Sequence, residues 1–292
     1  MQVSEEVIHK RSTRIRMLDD LPPLPKVAQL ILNEISDENV DIKKLSKVIE
    51  MDPGLVARIV GLSNSAFFAP TEKIYSVSDA IIKVLGLNTV KSLALSVLMA
   101  SPFQKNECKG FRLDVYWNVA MLSATFIKHL THTVCATGDE VDPSTAYISA
   151  LLHNIGLLVM AHCFHNELEQ LFIQEPDYTS EKFIQMEHEI IGITHFQAGA
   201  ILAKKWHIPD SINTVIEHHN NPSYHGNYEK ITLMVGVAAR LAYSLCHDSK
   251  IEINKDTLER LCISLSMLEK IKKEVIAHKK EIENISKFMA TP

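Results

Sequence analysis

Polar side chains stand at several places where the sequence is otherwise strongly apolar. An adjacent histidine and asparagine lie in the middle of Ala146–His162, a run that is apolar on nearly every side. A second histidine stands at the predicted start of a later helix, and two adjacent histidines end another. Imidazoles on separate helices that converge on one pocket are how helical bundles build metal sites. In chain order the candidates are His153, Asn154, His195, His218 and His219.

The same side chains have a purely structural interpretation. Burying an imidazole or a carboxamide without partners costs roughly 1–3 kcal/mol, so His153 and Asn154 must meet other polar groups in the core. For this pair we favour a hydrogen-bonded network that links helices. For His195 and His218, a hydrogen-bonded pocket and a weak metal or ligand site both stay open. We predict that His219 faces solvent.

Apolar residues recur at helical spacing through most of the chain, so we expect helices to position these residues. Glycine and proline are sparse, at 10 and 11 residues, and no sustained strand-like alternation is present. We therefore predict an all-α fold, a helical bundle of two lobes separated by the polar stretch 101–110. Five residues are each predicted to be the N-cap of a different helix: Asp41, Asp52, Asn88, Asp142 and Thr194. We predict one continuous helix over Ala146–His162.

Composition limits which binding partners and which cellular compartment we expect for this protein. The formal net charge of −5 gives no general attraction to nucleic acid or to an anionic membrane. The five cysteines are scattered without a Cys-x-x-Cys pair, which suits free thiols in a reducing compartment. The N-terminus has no apolar core of the signal-peptide type, and the longest apolar runs are predicted to be too short or too polar to span a bilayer. These features predict a soluble, cytoplasmic protein with no membrane insertion.

An ordered series of short motifs gives the chain a family resemblance. The doublet His153-Asn154 inside Leu-Leu-His-Asn-Ile-Gly looks like the His-Asp doublet of the HD phosphohydrolase superfamily. The whole series more closely resembles the HDOD family, the HD-related output domain of bacterial signalling proteins. It comprises Leu21-Pro-Pro-Leu-Pro25, Asp52-Pro53-Gly54-Leu55, Asn64-Ser65-Ala66, Leu85-Gly86, Trp117, Ala150–Gly156, Glu187, Gly192, His195, Gly199, Trp206-His-Ile-Pro209 and His218-His219.

The resemblance sets the predicted domain boundaries. Residues 1–17 are a charged leader, and residues 18–219 are the HDOD domain. Within that domain, residues 18–100 form an N-terminal helical lobe and residues 111–219 form an HD-like helical lobe. We expect residues 220–292 to add helices that pack on the HD-like lobe.

The ligand set of the superfamily's enzymes is altered in this chain. By resemblance, those enzymes hold metal with a first histidine, the His-Asp doublet and a later aspartate. The corresponding positions here are Val119, His153-Asn154 and Ala239. Valine and alanine do not ligate metal, and the loss of two carboxylates removes the negative charge that would hold a divalent cation. Metal-dependent phosphohydrolysis is therefore disfavoured.

These observations favour a non-catalytic signal-transduction or regulatory protein with a degenerate HD-type site and no cofactor. We expect it to bind a protein of a bacterial signalling pathway, or a nucleotide second messenger, in the cleft between the lobes. A nucleic-acid-binding regulator is disfavoured by the net charge. The alternative is a phosphohydrolase or phosphodiesterase that holds a divalent metal such as zinc, nickel or iron. Its ligands would be His153, His195, His218 and His219, assisted by Asn154 or Glu187.

Overall fold

The computed structural model describes residues 18, 20–35, 41–104, 108–135, 141–249 and 253–291. The chain is 72% helical, with no strand in these ranges, which confirms the all-α prediction. The predicted charged leader, residues 1–17, lies outside the described residues.

The first lobe is built around its last helix. That helix, α5, packs against α1 and α3 of its own lobe and against α7 of the second lobe. The elements of the first lobe are α1 (Lys26–Ile35), α2 (Ile42–Ile49), α3 (Pro53–Ser63), α4 (Val77–Asp79), a π-helical segment (Ala80–Leu85) and α5 (Leu87–Ala100).

The second lobe is built around α6, its longest described helix. α6 is buried along most of its length and contacts α7, α13, α15 and α16. The helices after the short 3₁₀ turn Ser101–Phe103 are α6 (Leu113–Cys135), α7 (Pro143–Leu152), α8 (Ile155–Cys163), α9 (His165–Gln174), α10 (Glu181–Ile190), α11 (His195–Lys205), α12 (Asp210–His218), α13 (Glu229–His247), α14 (Lys255–Arg260), α15 (Leu265–Ala277) and α16 (Lys279–Met289).

Contacts distant in sequence join the two lobes. The indole Nε1–H of Trp206 donates to the carbonyl oxygen of Pro22 at 2.9 Å, which ties the start of the first lobe to the end of α11. The C-terminal helix α16 packs on α6 and also on α3. The guanidinium of Arg58 on α3 donates to the carbonyl oxygen of Thr291. The last helix therefore contacts both lobes.

Four of the five predicted caps are confirmed. The side chains of Asp41, Asp52, Asp142 and Thr194 each accept a hydrogen bond from a backbone N–H group of the following turn. Such bonds satisfy donors that have no partner inside the helix, and each contributes about 1 kcal/mol to stability.

The fifth cap, at Asn88, is wrong. α5 begins at Leu87, two residues before the start that a cap at Asn88 implies, and Gly86 occupies the N-cap position with a φ of 78°. Glycine enters this left-handed region without the steric strain that a side chain adds. Because the N-cap residue has no side chain, the first turn of α5 carries no side-chain cap.

The apolar run Ala146–His162 is two helices, not the single helix that the sequence predicted. α7 ends at Leu152 and α8 begins at Ile155, with His153 and Asn154 in the turn between them. The Nδ1–H group of His153 donates to the carbonyl oxygen of Ala150 at 2.7 Å. In a continuous helix that carbonyl would accept the N–H group of Asn154, so the imidazole competes with the helical ladder at the break.

The same region corrects the prediction about apolar runs. Pro143–Cys163 is long and apolar enough, by length and composition, to cross a membrane. However, 83% of its most apolar window is buried inside the protein. It therefore forms the centre of the second lobe's core.

α8 and α11 cross with their backbones in contact. A methyl group added to Gly156 would lie 1.7 Å from the carbonyl oxygen of His195. One added to Gly199 would lie 2.7 Å from the side chain of Ile216 and 3.1 Å from the backbone nitrogen of Gly156. Two glycines therefore bring the turn that bears His153 against the start of α11.

We expect Gly156→Ala to destabilise the protein by about 3 kcal/mol or more, because α8 and α11 would have to separate. Gly54→Ala is the matched control, since Gly54 is exposed at the start of α3 and an added methyl group would approach the Asp52 side chain at 3.3 Å. Urea unfolding followed by circular dichroism measures both variants. Equal stability of the two variants would contradict the close helix crossing.

Candidate functional site

Three of the four predicted histidines converge. His153 lies in the turn between α7 and α8, His195 is the first residue of α11, and His219 follows the last residue of α12. Each is at most 6% exposed. The rings of His153 and His219 meet edge to face, with centroids 5.0 Å apart. Together with Asn154, these three imidazoles line one small cavity, which we call the histidine cavity.

The structure reverses the predicted roles of the adjacent pair at the end of α12. His219 is buried, whereas the side chain of His218 is 37% exposed and stacks on Tyr224 with ring centroids 4.6 Å apart. His219 lies four residues after the buried Val215, so the two share the inward face of the helix. Adjacent helical residues point in different directions, and His218 is therefore turned away from the cavity.

His195 is held by a buried carboxylate. Both oxygens of Glu187 lie 2.9 Å from Nδ1 of His195 and accept its N–H group. The backbone N–H group of His195 also reaches both oxygens, at 3.2 Å. Glu187 is 0% exposed, so its charge is compensated by these donors alone among the described groups. A capping box between Thr194 and Gln197 fixes the first turn of α11.

The other two imidazoles are fixed by backbone carbonyls. Nδ1–H of His153 donates to Ala150, and Nδ1–H of His219 donates to the carbonyl oxygen of Val215 at 3.0 Å. Because Nδ1 carries the proton on both rings, Nε2 of each neutral ring is a lone-pair acceptor. Nε2 of His153 and Nε2 of His195 are buried without a hydrogen-bond partner in the described part of the chain.

Burial keeps two of the rings neutral. Desolvation, with a smaller contribution from the neighbouring His195, lowers the pKa of His153 to about 4. Desolvation also lowers the pKa of His219 well below its usual value, with a further contribution from His153. Among the described residues, no anion contacts His153 or His219 to compensate a charged imidazolium, so the neutral form is favoured at pH 7.

The histidine cavity is very small. Its volume is about 10 Å³, which is room for about one water molecule. A water molecule makes two to four hydrogen bonds, enough to reach both Nε2 atoms that lack a partner among the described residues. The residues that complete the wall are Tyr178, Thr179, Phe196, Asn220, Gly236, Ala239 and Arg240.

At the three positions where this chain differs from the superfamily's metal ligands, no side chain places a carboxylate in the cavity. Asn154 donates through its amide to the hydroxyl oxygen of Tyr178 at 3.2 Å. Ala239 contributes a methyl group to the wall, and Val119 is buried but does not line the cavity. Among the described residues, no three or more His, Cys, Asp and Glu side chains form a group that could hold a metal ion. The site therefore does not fit the divalent metal that the superfamily resemblance implies.

Sequence reasoning missed two residues of this site. Tyr178, in the loop before α10, is 7% exposed and packs edge-on against His195 and Tyr243. It stands among polar residues, and no pattern marked it. A methyl group on Gly236 would lie 2.2 Å from the carbonyl oxygen of His219. This glycine inside an apolar helix was a readable signal of close approach.

A comparison with family models identifies the chain. The model of the HDOD domain matches residues 21–222, which is more than half of the sequence. The chain belongs to the HDOD family. The resemblance predicted from the motifs is thereby confirmed.

Similar sequences and solved structures come from several organisms. It is 29% identical over 225 residues to an uncharacterized protein of Treponema pallidum (strain Nichols), a match that covers 76% of this chain but 42% of that protein. Among solved structures, a provisionally named signal transduction protein of Marinobacter aquaeolei VT8 is similar with a TM-score of 0.82 and 24% identity, covering 97% of this chain and 66% of that one. An HDOD domain protein of unknown function from Geobacter sulfurreducens gives a TM-score of 0.75 at 21% identity, covering 97% and 99%.

The HDOD chain has a larger cavity between its two lobes, which we call the inter-lobe cleft. Its volume is about 380 Å³. One wall comes from the loop after α3, the π-helical segment and α5, and the other comes from α6 and the first turns of α7. The residues are Phe67, Phe68, Val84, Leu85, Asn88, Thr89 and Ser92 on the first side, and Thr125, Lys128, Thr131, His132, Pro143, Ser144 and Tyr147 on the second.

We expect the stability of the HDOD protein to fall as the pH is lowered from about 7 toward 4. The pKa of His153 is about 4 in the folded protein, against 6.5 for an ordinary histidine. Between these values the unfolded chain binds more protons than the folded one. Each pH unit lost there lowers the free energy of unfolding by up to about 1.4 kcal/mol per such histidine. Urea unfolding at a series of pH values measures the slope.

His153→Gln is expected to reduce this pH dependence, because glutamine does not titrate. The matched control is His188→Gln, which replaces an exposed histidine of α10 and is expected to keep the slope of the parent protein. A His153→Gln slope equal to that of the parent would contradict a neutral, buried His153.

Proposed function

We propose that this HDOD protein is a non-catalytic signalling module that acts by binding a partner at the inter-lobe cleft. In this proposal the histidine cavity is a structural network that holds α8, α11 and α12 together. The partner is a protein of a bacterial signalling pathway or a nucleotide that such a pathway uses. The family and the provisional name of the Marinobacter aquaeolei relative support a role in signalling.

The observation that carries the proposal is the closure of the histidine cavity. A space of about 10 Å³ has no room for a phosphoester group beside the imidazoles. Hydrolysis at a metal centre also needs an open coordination position and enough negative charge to hold the ion. The one carboxylate that contacts these histidines among the described residues, Glu187, is engaged by Nδ1 of His195.

A cytoplasmic location is part of the same proposal. Cys108, Cys163, Cys246 and Cys262 form no disulfide. Burial raises the pKa of Cys163 to about 11 and that of Cys246 to about 12, so both stay protonated at neutral pH. Free thiols of this kind are typical of proteins in a reducing compartment.

One observation favours the alternative, a metal-dependent phosphohydrolase. Nε2 of His153 and Nε2 of His195 are buried and make no hydrogen bond within the described part of the chain, and both residues line one cavity. Metal-binding histidines have this arrangement, with the other ring nitrogen bonded to a carbonyl or a carboxylate. A relative from Shewanella amazonensis SB2B is provisionally named a metal-dependent phosphohydrolase. Its TM-score of 0.59 and identity of 19% support the shared fold alone.

Metal analysis separates the two functions. The protein is incubated with Mn²⁺, Ni²⁺ or Zn²⁺, desalted and measured by mass spectrometry, and phosphate-ester cleavage is followed with bis(p-nitrophenyl) phosphate. We expect far less than one retained ion per chain and no cleavage above the buffer rate, because the cavity lacks carboxylate ligands. One tightly bound ion per chain, together with cleavage that His153→Ala abolishes, would overturn the proposal.

The double variant Asn154→Asp, Ala239→Asp tests the role of the missing carboxylates. It places two anionic ligands on the cavity wall, and we expect it to retain more of the same metal than the parent protein. Circular dichroism verifies that it is folded. Equal retention by the parent protein and the double variant would show that the lost negative charge is not what prevents metal binding.

A further inference from the structure

We propose that the inter-lobe cleft binds a purine nucleoside monophosphate. This inference rests on the proposed function, since it names the ligand of the cleft that the signalling module would use. It concerns a site separate from the histidine cavity and lined by different residues.

The cleft has the size and placement of a small-molecule site. Its volume of about 380 Å³ falls in the range of pockets that enclose a compact ligand. The two walls come from different lobes, so a bound ligand would contact α5 and α6 at once. Binding there would therefore couple the positions of the two lobes.

The charge lining the cleft selects an anion. No aspartate or glutamate is among the described residues that line it, although the whole chain carries a net charge of −5. Lys128 and His132 stand four residues apart on α6, so they share one face of that helix. Within the described ranges, the ammonium group of Lys128 has no ion-pair partner and is exposed.

The opposite wall offers hydrogen-bond donors to the same anion. The first turn of α5 has glycine at its N-cap, so no side chain caps its backbone N–H groups, and Asn88 and Thr89 of this turn line the cleft. Ser92, one turn further along α5, is 4% exposed and lines the cleft. A phosphate group would meet α5 on one side and Lys128 on the other.

Aromatic rings and a free amide favour a purine as the rest of the ligand. Phe67 and Phe68 form an edge-to-face pair with centroids 4.8 Å apart, and Tyr147 faces the cleft from α7. Such rings pack against a planar base. Asn88 lines the cleft and is exposed, and it makes no capping bond. An asparagine amide matches the paired donor and acceptor on the edge of adenine.

Isothermal titration calorimetry with AMP, adenosine and inorganic phosphate tests the proposal on the full chain. We expect AMP to bind at least about tenfold more tightly than either adenosine or inorganic phosphate, because it engages both the rings and the cation. Lys128→Gln is expected to weaken AMP binding about tenfold by removing the charged donor. The matched control, Lys270→Gln, changes an exposed lysine of α15 outside the cleft and is expected to bind like the parent protein.

A second variant tests the position of the site by steric blockage. Ser144→Trp places an indole at the cleft wall while keeping the backbone N–H group that Asp142 caps, and we expect it to abolish AMP binding. AMP binding that survives both Lys128→Gln and Ser144→Trp would overturn the proposal, as would equal affinity for adenosine and AMP or no AMP binding at all.

Phosphorus NMR of the same mixtures distinguishes the two proposals. Intact AMP bound at the cleft supports both. Failure of AMP to bind, with no phosphate released, contradicts the purine nucleotide as the ligand of the cleft and leaves the non-catalytic function standing. Release of inorganic phosphate from AMP would contradict the non-catalytic function itself.

Discussion

The contact between the Glu187 carboxylate and His195 is the interaction on which the rest of the histidine cavity depends. A fully buried carboxylate is tolerated only when donors compensate its charge, and both the backbone and the ring of His195 supply them. The contact holds the ring through Nδ1, and His195 lines the histidine cavity. The carbonyl of the same residue lies against Gly156, which places the turn bearing His153 beside it. The carboxylate of Glu187 and the close helix crossing at Gly156 therefore both fix the position of His195.

The local signals of the sequence were sufficient to predict helices and most of their starts. Asp52, Asp142 and Thr194 cap the helices that they were predicted to cap, because a cap depends on neighbours within a few residues. Asn88 was misassigned because Gly86, with its positive φ, is the N-cap, so the helix starts at Leu87, two residues earlier than predicted. A glycine at an N-cap gives a weaker signal than a side chain that accepts a hydrogen bond.

The site itself depends on tertiary contacts that periodicity does not encode. The break at His153 follows from a ring-to-carbonyl bond, and an apolar run on all sides gave no indication of it. The inward face of α12 could have been read from the four-residue spacing between Val215 and His219, whereas His218 was instead given the inward role. Asn154 and Ala239, which stand at the replaced ligand positions, both line the histidine cavity. Their positions could be read from the sequence because they follow from an ordered set of family motifs.

We predict that the space between Nε2 of His153 and Nε2 of His195 holds no metal. The most direct measurement is anomalous X-ray diffraction at the zinc edge from crystals grown with Zn²⁺. We expect no anomalous peak there and density of the size of one water molecule, hydrogen-bonded to both nitrogens. An anomalous peak about 2.0–2.1 Å from these nitrogens would contradict the account, because that is the zinc–histidine bond length.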